Sequence, residues 1–402
     1  MVRISHMRSL DLDDKVSSRI SQFPVSVYKS EISESIKSYF PGEWIFFKDT
    51  NQKKIYLGFI NPLVSESYPT AQILCHVEKM PKQSIVEDYI VKKIKDSVTY
   101  RFNFKGYEKS SRIVFGEADG LPGLVADLYE NACLVQINSA GMDKHRELIR
   151  ETIAEIVKIN TYIVDGSKQR TQEMLPMYRE SIDLDVIKVI ENNFIYQIKV
   201  SKLQKNGWYF DHRENRKRLE TILQGLSKEF SKGLDLFCYQ GAWGFHVSRA
   251  GCTEVTLVDQ ADMQDTILDS ANLNKIEGLS FYRQDVFEWL NDAIKNKLKY
   301  DVIVSDPPAF AKSKSEKKSA VDGYIKLHKK IMKISSPGAI VCFASCTHYV
   351  SEEEFLETID LAARSEKRKI RILDRGQQAW DHPISHIGSR SNYIKSIIVH
   401  ME

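Results

Sequence analysis

Residues 233–346 contain five short apolar runs separated by longer helical patterns: GLDLFCY (233–239), EVTLVDQ (254–260), LSFYRQD (279–285), YDVIVSDPP (300–308) and GAIVCFASC (338–346). Apolar strands of that length alternating with helices specify a parallel sheet wound on both faces. All strands of such a sheet point the same way, so their following loops gather at one edge. Ligands bind there, beyond the carboxyl ends of the strands. The residues that end these runs are therefore where chemistry is expected.

The chain before this region has a different texture. Residues 1–23 are polar and read as a poorly packed lead-in. From 24 to 78 come aromatic and β-branched segments, PVSVYKS, EWIFFKDT, KIYLGFINP and AQILCHVE, divided by breakers such as Pro41-Gly42 and Asn61-Pro62. That pattern predicts a small all-β domain over 1–80. Pro81 follows, and IVEDYIVKKIKDSV places Ile85, Tyr89, Ile90 and Ile94 on one helical face. Residues 112–141 read as three strands joined by a Gly/Pro loop and a turn, then a helix near 143–158 and a strand at TYIVDGS. This makes a central α+β domain over 81–186. A hairpin-like pair, DVIKVIENNFIYQIKVS, opens the α/β region over 187–402.

At 402 residues, three domains fit the usual range of about 100–200 residues each. Fifty-seven basic residues against 54 acidic ones leave a net charge of +3, which neither demands nor forbids a nucleic-acid partner. No apolar run approaches the roughly 18 residues that cross a bilayer. The start, MVRISHMRSLDLDD, has no apolar core of a secretory signal, so a cytoplasmic protein without membrane contact is expected. Six scattered cysteines, Cys75, Cys133, Cys238, Cys252, Cys342 and Cys346, form no CxxC pair and no zinc spacing. They read as reduced thiols packed in the core, with no metal expected.

The loop after the first run, FCYQGAWG, carries Gly241 and Gly244 beyond the strand residues Asp235 and Phe237. Two glycines there let backbone approach a ligand and open a helix whose amides face it. A tight strand-to-helix turn explains them equally well. The second run ends in Asp259, placed to accept from both ribose hydroxyls of an adenosine-containing ligand. The third ends at Asp285, placed to accept from an adenine amino group. Either carboxylate alone is also a sound helix N-cap, but capping does not account for acidic tips on successive strands. The fourth ends in Asp306-Pro307-Pro308-Ala309-Phe310. Two prolines hold the backbone extended and remove two amide donors, presenting a carboxylate and Phe310 at the mouth of the site. In this setting the motif points to methyl transfer from S-adenosyl-L-methionine to a nucleobase. A nicotinamide dehydrogenase would need the third glycine that GAWG lacks and would leave the DPP loop unexplained.

The chain from about Gly116 onward resembles the three-domain 23S ribosomal RNA cytosine-C5 methyltransferases. The matching segments are GEADGLPGLVADLY (116–129), KNGWYFDHRENR (205–216), DLFCYQGAWG (235–244), DPPAF (306–310), DGYIKLHKKIM (322–332), FASC (343–346), AWDHP (379–383) and YIKS (393–396). The resemblance implies a PUA-like β-rich domain, a central α+β domain and a C-terminal Rossmann-like class I methyltransferase domain. It also implies S-adenosyl-L-methionine as cofactor, ribosomal RNA as partner, and surfaces on which a homodimer could form. Departures are the KNG at 205–207 where the family has KTG, and a start without the family's HPWVF-like segment.

Chemistry and resemblance together single out Cys346. Cytosine C5 is too weak a nucleophile to attack a sulfonium methyl, and a thiolate added at C6 turns the ring into an enamine. The family match places that thiol at Cys346, with Asp306 holding the Watson–Crick edge of the base; Cys342, deeper in the strand, reads as core. Tyr209 and Trp208 either cover the adenosine or pack a helix. Lys312, in the basic AKSKSEKKSAVDGY stretch, and Arg213 and Arg216, after WYFDH, are candidates for phosphate contacts beside Pro307, Pro308 and Phe310, although charge runs are also ordinary solvated faces. His382 reads as part of a structural turn. Two other functions remain in play: a guanine-N methyltransferase using the DPP loop without a thiol, and a non-catalytic RNA-binding protein that keeps the fold.

Overall fold

The computed structural model describes residues 7–20, 23–78, 84–203, 207–384 and 391–402, so the sequence readings on Pro81, Lys205 and Asn206 lie outside the described residues. The chain forms two compact units. One contains Met1–Lys188, Val200–Trp208 and Asp381–Ser385; the other contains Val189–Lys199, Tyr209–Trp380 and His386–Glu402.

The first unit is built on two five-stranded sheets. In the first, β1 (Ser9–Asp11), β2 (Val25–Val27), β3 (Glu43–Asp49), β4 (Lys54–Ile60) and β5 (Ala71–His76) lie in the order β1-β3-β4-β5-β2. The runs EWIFF and IYLGFI are apolar at almost every position because β3 and β4 bury both faces. Ile45, Phe47 and Ile60 join one core with Leu10, Val27 and Ile73. Trp44, Leu57 and Phe59 join another with Tyr89, Ile90 and Ile94. The lead-in reading of residues 1–23 is corrected here: β1 pairs in parallel with β3, the short helix α1 (Asp14–Ser17) follows, and Leu10 and Val16 are buried. Three strand residues are too few to show a period.

The second sheet runs β10-β9-β8-β7-β6, from β6 (Ser111–Phe115), β7 (Leu124–Leu128), β8 (Cys133–Ile137), β9 (Thr161–Asp165) and β10 (Tyr178–Arg179). Helices α2 (Ile85–Phe102), α3 (Ala140–Asp143), α4 (Arg146–Val157) and α5 (Gln169–Gln172) complete the unit. The AWDHP segment is structural, as the sequence suggested for His382. Asp381 accepts from the Arg112 backbone amide at 3.0 Å, and the His382 ring sits between Asp381 at 2.8 Å and the Arg112 guanidinium at 3.1 Å.

The second unit begins in the hairpin β11 (Val186–Glu191) and β12 (Phe194–Lys199), whose turn residues Asn192 and Asn193 both have positive φ, 51° and 66°. That is the backbone twist two-residue hairpins require, and Asn tolerates it. Its seven-stranded sheet has the order β15-β14-β13-β16-β17-β19-β18. The strands are β13 (Lys232–Leu236), β14 (Glu254–Asp259), β15 (Leu279–Arg283), β16 (Tyr300–Ser305), β17 (Ser335–Ser345), β18 (Ile370–Gly376) and β19 (Lys395–Met401). Helices α6 (Arg213–Gly225), α7 (Ala242–Arg249), α8 (Gln264–Asn274), α9 (Val286–Lys295), α10 (Lys317–Ile334) and α11 (Glu352–Ser365) cover it.

The five strands read from the sequence run parallel to one another, as expected. The sheet is not wholly parallel, because β19 runs antiparallel to both β17 and β18. The winding reverses at β13, which lies between β14 and β16. The carboxyl ends of β13, β14 and β16 therefore flank one crevice, where ligands of such sheets bind. Among the described residues, no helix is long and apolar enough to cross a membrane.

Candidate active site

The loop leaving β13 holds its shape at a local cost. Phe237, Tyr239 and Gly241 take positive φ values of 61°, 46° and 74°, and only the glycine does so freely. Left-handed backbone at a bulky residue costs about 1–3 kcal/mol and concentrates at functional sites. The conformation is locked by side chains from the neighbouring strand ends. The Tyr239 amide donates to Asp259 at 2.8 Å, and the Gly244 amide donates to Asp235 at 2.8 Å. Gly244 is required by packing, since a Cβ there would stand 2.3 Å from the Leu257 side chain.

Three carboxylates behave differently at this edge. Asp235 is fully buried, and among the described residues its Oδ1 has no hydrogen-bond partner. Burial first, then the charges of Asp306 and Asp259, push its pKa well above the ordinary carboxylate value. Asp259 closes β14 and takes one amide on each oxygen, from Tyr239 and Ala261. Asp285 stands two residues beyond the end of β15 and is a true N-cap: it accepts from the amides of Phe287 and Glu288 at 2.9 and 3.0 Å and from the Gln260 amide group at 2.6 Å. Its capping role and its position near Asp259 coexist.

Beyond β16, Asp306 is gripped from two sides. The Trp243 indole donates to Oδ2 at 3.0 Å, and His212 Nε2 lies 3.4 Å from Oδ1. The other ring nitrogen of His212 faces the Asn215 amide at 3.1 Å. Pro307 is buried and Pro308 exposed. The Phe310 ring stacks on Tyr324 at 4.6 Å, and the Phe310 amide donates to Thr347 Oγ1 at 3.2 Å. The Tyr324 hydroxyl in turn bonds Ser345 Oγ at 2.8 Å and Thr347 Oγ1 at 2.7 Å. The DPP loop and the end of β17 are thus tied through one phenol on α10.

Cys346 follows β17 directly. It is partly exposed, and its Sγ lies 3.8 Å from the Pro307 carbonyl. Cys133, Cys238, Cys252 and Cys342 are buried, as core thiols should be, while Cys75 is only half-buried. Tyr209 is 40% exposed with its ring 5.2 Å from that of Tyr239, so an aromatic edge stands open beside the β13 loop. Trp208 is buried and serves packing.

No family model matches the chain. It is 30% identical over 351 residues to a protein of Aeromonas hydrophila named ribosomal RNA large subunit methyltransferase I, covering 82% of this chain and 85% of that one. Its identity to the protein of the same name in Pseudoalteromonas atlantica is 30% over 315 residues, with 76% of each covered. The chain belongs to the ribosomal RNA large subunit methyltransferase I family. Two solved structures share its fold. One is a SAM-dependent methyltransferase from Streptococcus mutans, at a TM-score of 0.76 and 17% identity over 98% of this chain and 100% of that one. The other is a methyltransferase complexed with SAH, at 0.78 and 18%, again over 98% and 100%.

In this member of the ribosomal RNA large subunit methyltransferase I family, two of the arginines expected at RNA phosphates do other work. Arg216 is buried, with Nε 2.7 Å and Nη2 2.9 Å from the two oxygens of buried Glu191, and Nη2 also donates to the Tyr209 carbonyl at 2.9 Å. Arg213 is buried 3.6 Å from the same carboxylate. Both are turned inward because α6 packs its first turn on the hairpin, so neither is offered to a phosphate in this structure. Lys312 is exposed, and its backbone amide is held by Glu316. The residues that sequence reasoning passed over are His212, Trp243, Tyr324 and Lys395. All four lie inside segments quoted for the resemblance, which was the available signal.

Proposed function

We propose that this chain methylates C5 of a cytosine in large-subunit ribosomal RNA, with Cys346 as the covalent nucleophile. S-Adenosyl-L-methionine is its cofactor, and it supplies an electrophilic methyl group on a sulfonium. Asp235 and Asp259, the Phe237–Gly244 loop, and the open aromatic edge of Tyr209 would hold it, with Asp285 behind Asp259. An unpartnered buried acceptor, the Asp235 Oδ1, fits a bound group rich in donors.

The observation that carries the base assignment is the pairing of a partly exposed thiol with a two-sided carboxylate clamp. Asp306 receives the Trp243 indole on one oxygen, His212 Nε2 stands 3.4 Å from the other, and both oxygens keep lone pairs for a base. Such a carboxylate accepts from the exocyclic amine and protonated N3 of cytosine. It would accept equally from N1–H and the amine of guanine, and the adjacent thiol is what favours cytosine. Cys346 Sγ adds to C6, and the C5–C6 π pair makes C5 nucleophilic. After C5 gains the methyl, its proton leaves to a base; the electron pair restores the double bond and expels the thiolate. The target base must be out of its stack for this approach. Pro308 and Lys312, both exposed beyond β16, would meet the RNA around the flipped base, with Phe310 beside them.

Three domains are proposed in this scheme: a PUA-like domain over 1–80, supported by the first five-stranded sheet; a central α+β domain over 81–186; and the methyltransferase domain over 187–402.

The test is methylation of large-subunit ribosomal RNA by wild type and Cys346→Ser. The variant should lose 5-methylcytosine formation by at least 100-fold, and 5-fluorocytosine RNA should trap the wild type covalently. Undiminished methylation by the variant, or product found at a guanine nitrogen, would refute the reading.

A further inference from the structure

Lys395 opens β19 in direct register with Ser345, the residue before Cys346. Its side chain is buried, and Nζ donates to the Thr347 carbonyl at 2.6 Å and the Val350 carbonyl at 2.9 Å. Those two carbonyls bracket the turn that follows Cys346. Ser345 and Thr347 also carry the hydroxyl contacts of Tyr324, so the thiol, itself 3.8 Å from the Pro307 carbonyl, sits in a turn fixed at its flanking residues.

A buried ammonium normally has a carboxylate partner. Among the described ion pairs Lys395 has none. The nearest acidic groups acting on it, Glu352 and Glu354, are themselves taken by Arg375 and Lys317. The charge is therefore held by two carbonyl dipoles beside Cys346. Burial drives the Lys395 pKa down to about 8, and the Cys346 sulfur opposes that fall more than either glutamate does. Tyr209 and Tyr324 also interact electrostatically with Cys346, and both feel Asp306 as well. None of these groups is a cation.

We propose that Lys395 is a positioning residue for Cys346: it anchors the turn that carries the thiol, and its buried charge stabilises the thiolate. The idea deepens the nucleophile reading and rests on it. A buried lysine at a strand start would otherwise be an unexplained cost; here the Cys346 sulfur acts on its charge, and that attraction is mutual.

The experiment follows iodoacetamide alkylation of Cys346 against pH in the full chain, read by peptide mass spectrometry, for wild type, Lys395→Met and Lys395→Arg. Wild type should be half-reactive below the ordinary thiol value of about 8.5. Lys395→Met should move that midpoint up by roughly one pH unit, which is tenfold less thiolate at pH 7, and Lys395→Arg should stay with the wild type. Equal midpoints for wild type and Lys395→Met, or Lys395→Arg following Lys395→Met, would overturn the proposal. If Lys395→Met fails to fold, the wild-type midpoint decides alone: at or above about 8.5 the proposal is wrong. Alkylation needs neither RNA nor methyl transfer, so this outcome is separate from that of the Cys346→Ser methylation assay.

Discussion

Arg216 offers a sharp test, because sequence and structure give it opposite jobs. Read from the sequence, it belongs to a basic cluster facing RNA; in the structure it is sealed against Glu191 and lies 5.9 Å over the ring of Trp243. Replacing it with Met removes three charge-assisted bonds, two to Glu191 and one to the Tyr209 carbonyl, and leaves a buried carboxylate behind. Breaking a buried pair from one side costs about 3–5 kcal/mol. Arg213 remains 3.6 Å from Glu191 and can recover part of that, which puts the loss near the lower end. For a unit of this size, about 3 kcal/mol corresponds to a fall in Tm of roughly 10 °C. The double variant Arg216→Met with Glu191→Met should regain most of it, since an apolar pair of similar volume is often neutral or better. Calorimetry of the three proteins supplies the stability numbers. Filter binding of a large-subunit ribosomal RNA fragment across a salt series supplies the other half. A structural Arg216 leaves the slope of log K against log salt unchanged, whereas a lost phosphate contact lowers it by about 1. A stable Arg216→Met with a reduced slope would refute the structural assignment.

Two further outcomes follow from the same geometry. Tyr324→Phe removes the hydroxyl shared by Ser345 and Thr347 at a stability cost of about 1–3 kcal/mol; kcat should fall while cofactor affinity, measured by titration calorimetry, stays constant, and an unchanged kcat would show that the tie between the two loops is dispensable. His328 is fully buried on α10, where burial lowers its pKa to about 3 despite a contact with Thr358. Its unfolded value is about 6.5, so between these limits only the unfolded chain takes up the proton. Stability should be complete above about pH 6.5 and fall progressively toward pH 3. His328→Gln should flatten that decline, and parallel curves for variant and wild type would assign the acid sensitivity elsewhere.

The sheet and its carboxyl-end loops were legible because burial on two faces writes itself as unbroken apolar runs. The same rule made β3 and β4 readable. It failed for β1, where three residues carry one buried leucine, and for the antiparallel end of the sheet. Strand direction there depends on a return connection, which has no periodic trace. Within the site, Asp235, Asp259 and Asp306 could be found from position alone, because each ends or nearly ends a strand. Arg213 and Arg216 were misread because a charged residue's burial depends on a partner distant in sequence, here Glu191, 25 residues before Arg216. Lys395 lies in the matching YIKS segment, but its role there could not be read, for a related reason. Its acceptors are carbonyls, and no side chain in the sequence advertises them.

The groups around Asp306 share a physical property that explains their placement. Among the described residues, Asp235 Oδ1, Gln240 Oε1 and Ser305 Oγ are buried without hydrogen-bond partners at the carboxyl ends of β13 and β16 or in the loop between β13 and α7. Each such group costs about 1–3 kcal/mol. Elsewhere in a core, a sequence would replace them with apolar side chains of the same shape at little loss. Their retention beside two left-handed aromatic residues means that this edge carries both backbone strain and unmet hydrogen-bonding capacity. A ligand bringing ammonium and hydroxyl donors relieves the second without disturbing the first. Binding energy is then drawn from groups the fold has already fixed, and little of it goes to ordering the site. The Cys346 turn follows the opposite rule. Ser345 and Thr347 are bonded through Tyr324, and the Thr347 and Val350 carbonyls accept from Lys395. The β13 edge keeps unmet hydrogen-bonding capacity, whereas the Cys346 turn is bonded in advance, as the proposed nucleophile would need to meet a base at a set position.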